Sequence, residues 1–318
     1  MKLLAAALAV LFLLSWGIGA GSASWADLLR LVSGGEVSDS ARTILLELRL
    51  PRLLAAVLAG GMLGAAGCTT QNLFRNDLAS PHVLGVVNTA ALGAVIGLFL
   101  PGIGLTVPAM VFAALSLGIL FLIGRRRSWD GATLILAGIA VNAFTSALTS
   151  GALYLADERL SALVFWLLGG FWRITWGDVI LLAAVGLGAC GILFRLAPEL
   201  DMLLLGDRSA ELAGVRMKRL KPLLMLTVAA LSASVVSCCG VIGFVGLAVP
   251  HMVRMLCGGT FRKLLPGSIL AGGFLLLLAD LAARTVAAPQ EIPVGILTSL
   301  AGGPFFFYLL LHRRVNHD

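Results

Sequence analysis

The chain has 318 residues, of which 59% are hydrophobic and only 12% are charged, and its mean hydropathy is +1.00. Soluble domains carry about 25% charged residues, so this composition excludes an ordinary water-facing globule and predicts an all-α, polytopic membrane protein. The net charge of +7 does not indicate nucleic-acid binding, because the basic residues lie in short clusters between apolar runs.

Ten apolar runs recur along the chain, each close to the roughly 20 residues that a membrane span requires. They are Leu3–Ala20, Leu53–Cys68, His82–Leu100, Leu105–Ile123, Ala132–Leu155, Val179–Phe194, Pro222–Val236, Val241–Leu256, Leu264–Ala282 and Ile292–Leu311. We expect the first run to be a retained helix, although Lys2 and the apolar stretch after it also fit a secretory signal peptide. No segment resembles a separate soluble domain, so residues 1–318 are predicted to form one transmembrane domain.

Basic residues are distributed unevenly between the two sides of these predicted spans. If the N-terminus is cytoplasmic, most of the 23 lysine and arginine residues fall on the inner side. This bias predicts an even number of spans in a prokaryotic plasma (inner) membrane, with both termini in the cytoplasm. Loops at about 21–52 and 156–178 then lie outside, and a loop at about 198–221 lies inside.

Glycine placement gives two structural expectations. Gly60, Gly64 and Gly67 lie near one face of the second span, where small residues allow close approach of another helix. The stretch 240–250 contains three glycines and a proline. Irregular backbone at membrane depth is tolerated only against protein or a wet cavity, so this stretch is predicted to face the interior or the transport path.

A polar stripe follows one face of the fifth predicted span. It consists of Asn142, Thr145, Ser146 and Thr149, which recur at three- and four-residue steps. We interpret it as a face that lines a translocation pathway. The alternative is that the hydroxyl groups bond back to carbonyls of their own helix.

Ionisable residues are almost absent from the spans. The exception is Asp280, which is followed by Arg284 at the favourable four-residue spacing. We predict a structural ion pair, with a gating role as the alternative. Carriers driven by protons or sodium usually need intramembrane ionisable residues, so the energy source is expected to lie outside the membrane part.

The sequence contains no recognisable catalytic motif. It has no HExxH metalloprotease motif, no GxSxG elbow and no GxxxxGK[ST] phosphate loop, so we predict a non-enzymatic chain that does not itself hydrolyse nucleotide. The five cysteines lie in or beside apolar runs without metal-ligand spacing. We therefore expect no catalytic residue, no metal site and no cofactor.

Four strings resemble one family of transporters. They are RLPRLLAAVLAGGM at 49–62 with QNLFRNDLASPHVLGV at 71–86, LLGDRSAELAG at 204–214, GFVGLAVPHMVR at 243–254, and DLAAR at 280–284 with EIPVGILTSLAGGPFFFYL at 291–309. In this order they are similar to the permeases of ABC importers for iron-siderophore, haem and cobalamin. Asp77 and Thr89 depart from the family pattern, which usually has proline and glycine there.

The resemblance implies a type II ABC importer permease fold with ten helices. It implies a homodimer with the substrate path along its two-fold axis, two ATPase subunits on the cytoplasmic side and an extracytoplasmic substrate-binding protein. Arg49, Arg52 and Arg284 match outward arginines that meet acidic residues of the binding protein. Contact with phospholipid headgroups is the alternative for these cations. The expected cargo is a ferric siderophore, with haem and cobalamin as alternatives.

The resemblance also implies that the inner loop contacts the ATPase. The residues predicted for this coupling are Leu204, Leu205, Gly206, Asp207, Ala210, Leu212 and Gly214. The alternative is an ordinary amphipathic segment at the membrane surface. Two other classes of protein remain open from the residues alone, an ion-coupled secondary transporter and a membrane enzyme.

Overall fold

A computed structural model describes residues 1–19, 23–100, 102–127, 129–155 and 160–312. These residues form helices and connecting segments without any β-strand, as the composition predicts. Ten apolar helices are named α1 to α10 in chain order. They are α1 Lys2–Gly17, α2 Leu50–Phe74, α3 Val86–Phe99, α4 Thr106–Arg126, α5 Gly131–Tyr154, α6 Trp176–Arg195, α7 Met217–Cys239, α8 Val245–Cys257, α9 Phe261–Thr285 and α10 Val294–His312. Each overlaps one of the ten predicted spans.

Six of the described helices are long and apolar enough to cross a membrane. They are α4, α5, α6, α7, α9 and a continuous stretch Asp39–Phe74 that includes α2. The other four contribute shorter apolar segments, namely Lys2–Gly17, Val86–Gly97, Val245–Cys257 and Val294–Tyr308. The chain is therefore a multi-pass membrane protein, and its all-helical fold class is confirmed.

The predicted loops contain short helices. The short helices are Trp25–Val32, Asp39–Thr43, a π-helix at Ile44–Arg49, Leu160–Leu167, Ala197–Leu203 and Asp207–Leu212. In the loop at 21–52, Leu28, Ala41 and Leu45 are buried together, so apolar packing extends beyond the predicted span. Residues 156–159 of the second loop lie outside the described residues.

Helix α2 forms the centre of the bundle and packs most closely against α9, with further contacts to α7, α8 and α6. The three glycines of its predicted face lie at these contacts. A Cβ atom on Gly60 would lie 2.2 Å from the Gly272 carbonyl oxygen, and one on Gly67 would lie 1.8 Å from that of Gly246. Gly64 meets the Ser268 carbonyl in the same way. The prediction of close backbone approach is confirmed.

The glycine-rich stretch before α8 is irregular, as predicted. Residues 240–244 are not helical, and α8 begins only at Val245, four residues later than the predicted start of that span. Gly240 has φ +71° and Phe244 has φ +64°, and neither value fits a right-handed helix. Gly240 is buried, so this stretch faces the protein interior.

The helix directions define two ends of the bundle. At the first, called the arginine end, the C-terminus of α1 meets Arg49 just before α2, and Arg284 lies at the C-terminus of α9. At the second, called the coupling end, Lys221 of α7 contacts Asp207 of the helix Asp207–Leu212. The two groups of predicted docking residues therefore lie at opposite ends.

Candidate functional site

A cavity of about 510 Å³ opens at the arginine end. It is lined by Arg49, Arg52 and Arg284, together with Glu291 and the aromatic residue Trp172. We call this cavity the arginine recess. The structure thus brings together the three arginines predicted to contact a partner, although Arg284 lies more than 200 positions after Arg49 and Arg52 in the sequence.

A single carboxylate organises the charges of the recess. Asp280 is completely buried, and its Oδ1 accepts a hydrogen bond of 2.9 Å from Nε of Arg52. Its Oδ2 lies 3.1 Å from Nε of Arg284, so the predicted ion pair within α9 is present. Arg52 also donates from Nη1 to both carboxylate oxygens of Glu291, at 3.0 and 2.9 Å. These contacts join α2 to α9 and to the segment that precedes α10.

Two arginines bind the C-terminal end of α1. Arg284 donates to the carbonyl oxygens of Ser15 and Ile18. Arg49 donates to further carbonyl oxygens along the same segment, those of Trp16, Gly17, Gly19 and Ala23. The last carbonyls of a helix have no partner within it, and a cation there also interacts favourably with the helix dipole. The arginines thus fix the end of α1 against α2 and α9.

The exposure of these arginines was predicted wrongly. Arg49 and Arg284 are each only 5% exposed, and the side chain of Arg52 is 12% exposed. The reason is that backbone carbonyls and Asp280 supply enough acceptors to keep the guanidinium groups inside the protein. Sequence reasoning also missed Glu291 as the second partner of Arg52, although it lies in the string 291–309 that carries the family resemblance.

The threonines of the α5 stripe bond mainly to their own helix. Oγ1 of Thr145 donates to the Val141 carbonyl at 2.8 Å, and Oγ1 of Thr149 donates to the Thr145 carbonyl at 2.9 Å. This is the alternative that the sequence left open for these hydroxyl groups. These hydrogen bonds leave the hydroxyl oxygens available as acceptors, and they remove the need for a polar neighbour on another helix.

The other two stripe residues connect α5 to neighbouring segments of the same chain. Nδ2 of Asn142 donates to the His82 carbonyl at 2.7 Å, and the Ser146 hydroxyl accepts from Nδ2 of Asn88 at 3.1 Å. Asn142 thereby holds α5 against the short 3₁₀ helix Pro81–Leu84. Ser146 is exposed as well as bonded to Asn88.

The opposite face of α5 is open. Only 17% of the residues in its most apolar 18-residue segment are buried, which is the lowest share among the six long helices. Large apolar side chains are exposed along it, including Leu136 (67%), Ile139 (53%) and Phe144 (66%). This face is therefore available to lipid or to another protein surface.

A second cavity, of about 230 Å³, lies beside the irregular stretch before α8. Its lining includes His82 and Phe244 along with small and aliphatic residues of α2 and α7. Because Asn142 of α5 binds the His82 carbonyl, this cavity lies just behind the polar stripe. The irregular backbone therefore borders an internal space, which agrees with the expectation from its glycines.

The coupling end presents the short helix Asp207–Leu212, which follows Ala197–Leu203. Leu205 and Leu212 are 71% and 85% exposed, while Ala210 is buried against the bundle. Gly206, with φ +106°, and Gly214, with φ +90°, form the turns on either side of this helix. Leu204 is half-buried at the first turn. Of the predicted coupling residues, Leu205, Leu212 and Gly214 are thus exposed, while Gly206 and Ala210 are buried.

Together, the apolar helices define a multi-pass membrane protein. The chain belongs to the FecCD transport family, whose model matches residues 7–312. It is a permease subunit of the ABC-importer class.

The relatives are transporters of metal chelates. The chain is 40% identical to the hemin transport system permease protein HmuU of Yersinia pestis, with 96% of this chain and 93% of that protein covered. It is 36% identical to the Fe(3+) dicitrate transport system permease protein FecD of Escherichia coli K12, with 97% and 96% covered. It is 37% identical to the cobalamin import system permease protein BtuC of Halobacterium salinarum, with 88% and 76% covered.

A solved structure supports the fold. This chain resembles an inward-facing conformation of a metal-chelate type ABC transporter with a TM-score of 0.87, 33% identity and 97% of each chain covered.

Proposed function

We propose that two copies of this chain form the membrane channel of an importer for a ferric siderophore. The open face of α5 in each copy borders the path along the two-fold axis, with the exposed Ser146 at its margin and Asn142, Thr149 and Thr145 behind it. The support is the exposure of α5, because a helix with so little burial in one chain needs lipid or a second protein surface. Haem and cobalamin are the alternative cargoes, since relatives of similar identity are named for each.

The driving force comes from two ATPase subunits that bind the coupling end on the cytoplasmic side. The observation that carries this proposal is the helix Asp207–Leu212, where Leu212 and the preceding Leu205 are exposed and offer an apolar anchor beside Asp207 and Arg208. Apolar anchors surrounded by polar residues are typical of protein interfaces. In this orientation both termini lie in the cytoplasm of a prokaryotic cell, and the arginine recess faces outward.

The ion pairs of the buried Asp280 argue against an ion-coupled carrier. Among the described residues, Asp280 is the only buried carboxylate, and it is engaged by two guanidinium groups. Both of its oxygens face guanidinium groups, Oδ1 that of Arg52 and Oδ2 that of Arg284, so this acid belongs to a structural ion cluster. Alternating access is therefore driven from the coupling end.

The cargo is tested by reconstituting the chain with its ATPase and binding protein in proteoliposomes. We expect ATP-dependent uptake of a ferric siderophore, measured with radioactive iron. Uptake of haem or cobalamin and not of the siderophore would show that the proposed cargo is wrong, while the chain would still be an ABC importer permease. No ATP-dependent uptake of any of the three chelates would contradict the proposed function.

The arginine recess is the proposed docking site for an acidic side chain of the binding protein. In the free permease Glu291 occupies Nη1 of Arg52, so an incoming carboxylate has to compete with it. Replacing Glu291 with glutamine should therefore tighten docking, while Arg52→Gln should weaken it about tenfold. The affinity is measured at low and high salt.

The control for docking is Arg42→Gln, which removes an exposed arginine at the same end. It should leave the affinity within about twofold of the wild type, since an isolated surface charge contributes little. If Glu291→Gln and Arg52→Gln changed the affinity in the same direction or not at all, the recess would not be the docking site.

A further inference from the structure

Lys221 is a buried cation at the coupling end that joins two distant segments. It lies in the first turns of α7 and is only 7% exposed. Its Nζ donates to Oδ2 of Asp207 at 2.5 Å and to the Trp129 carbonyl at 3.2 Å. Burying an ammonium group is costly unless acceptors replace its water. These two acceptors therefore hold the side chain in a defined position.

The first acceptor belongs to the short helix at the coupling end. Asp207 is the first residue of Asp207–Leu212, where a carboxylate interacts favourably with the helix N-terminus. Its Oδ1 lies 3.8 Å from Nη2 of Arg75, the residue that ends α2 in a left-handed conformation. Asp207 thus connects the start of the proposed ATPase contact to both α7 and α2.

The second acceptor belongs to the entrance of α5. The Trp129 ring packs edge-on against Phe121 with centroids 5.0 Å apart, and it covers Gly124, where a Cβ atom would lie 2.6 Å from the ring. The Trp129 N–H also donates to the Gly124 carbonyl at 2.9 Å. These contacts fix the Trp129 carbonyl to the end of α4.

The same loop begins α5. Asp130 caps this helix by accepting from the Thr133 N–H at 2.8 Å, and that hydrogen bond lowers the pKa of the Asp130 carboxyl. The Trp129 carbonyl is therefore separated by one residue from the first residue of the helix that carries the polar stripe. A movement of the Trp129 carbonyl would therefore also move the N-terminal end of α5.

From these contacts we infer that Lys221 is the positioning residue that transmits movement of the helix Asp207–Leu212 to α5. The inference rests on the proposed function, in which an ATPase moves that helix. When the ATPase shifts Asp207, the ammonium group follows the carboxylate and pulls the Trp129 carbonyl with it. Lys221 contacts neither ATPase nor cargo, and it acts only through these two partners.

The test separates assembly from coupling. In proteoliposomes containing the whole transporter, Lys221→Met keeps the length of the side chain and removes its hydrogen bonds. We expect the ATPase to remain bound and hydrolysis to continue, while uptake per ATP hydrolysed falls about tenfold. Lys221→Arg, which retains a cation, should recover part of this loss. Lys218→Met is the matched control, because Lys218 is exposed on the same helix and should leave the ratio unchanged.

A second variant keeps the inference falsifiable if Lys221→Met fails to fold. Asp207→Ala removes the other partner at a residue whose side chain is 42% exposed, and the same loss of uptake per ATP is expected. An unchanged ratio in Asp207→Ala, or in a folded Lys221→Met, would overturn the inference. Failure of the wild-type complex to couple ATP to uptake would instead contradict the proposed function, so the two failures are distinguishable.

Discussion

Replacing Asp280 with asparagine is expected to lower the free energy of unfolding by about 3–5 kcal/mol. The carboxylate is completely buried and lies between Nε of Arg52 and Nε of Arg284. Its neutralisation leaves two largely buried guanidinium groups without their shared counter-charge. Loss of one partner from a buried ionic cluster is costly for this reason. Unfolding in mixed detergent micelles, followed by circular dichroism, measures the change.

Two further variants test the cause of this destabilisation. Glu291→Gln removes a carboxylate that is 35% exposed and contacts only Arg52, so it should cost no more than about 1 kcal/mol. Adding Arg52→Gln to Asp280→Asn should recover part of the stability, because one of the two guanidinium groups that shared the lost carboxylate is removed. If Asp280→Asn were as mild as Glu291→Gln, the buried ion cluster would not stabilise the fold as described.

Replacing Leu212 with aspartate is expected to reduce ATPase affinity at least about thirtyfold, which corresponds to a loss of about 2 kcal/mol. Leu212 is 85% exposed at the tip of the helix Asp207–Leu212 and is the most accessible apolar group of the coupling surface. A charge in an apolar interface pocket must lose its water without gaining a partner. Because Leu212 makes no buried contact within the chain, the variant should fold normally.

The matched control is Leu256→Asp. Leu256 is 84% exposed near the C-terminus of α8, at the same end of the bundle but outside the coupling surface. ATPase affinity, measured by surface binding in detergent, should be unchanged by this substitution. Equal losses for Leu212→Asp and Leu256→Asp would mean that the helix is not a specific contact.

Hydrophobic runs predicted the fold well because the membrane imposes a simple requirement on sequence. Every predicted span overlaps an apolar helix. The position of Gly60, Gly64 and Gly67 near one face of α2 also predicted its close packing against neighbouring helices. The irregular stretch before α8 was also readable, since Gly240 and Gly243 interrupt a helix. Span ends were less accurate, because the apolar packing of Leu28 and Leu45 continues into segments that appear polar in sequence.

The environment of single charges could not be predicted from the sequence. Arg52 and Asp280 form a hydrogen bond across 228 positions of the chain, and nothing local to either residue indicates this pairing. The same holds for Lys221, because its partners Trp129 and Asp207 lie 92 and 14 positions away in the sequence. Arg49 was expected to point outward because it matches outward arginines of the family that the sequence resembles, but carbonyls at the end of α1 provide an internal site. Such pairings depend on the packing of distant helices.

The central claim is that this permease takes its driving force from an ATPase bound at the helix Asp207–Leu212. The most direct test compares proteoliposomes that contain the chain alone with others that contain the chain, the ATPase and the binding protein. We expect chelate uptake only in the complete system and only with ATP inside the compartment that contains the ATPase. Uptake by the chain alone, driven by a proton or sodium gradient, would contradict the claim.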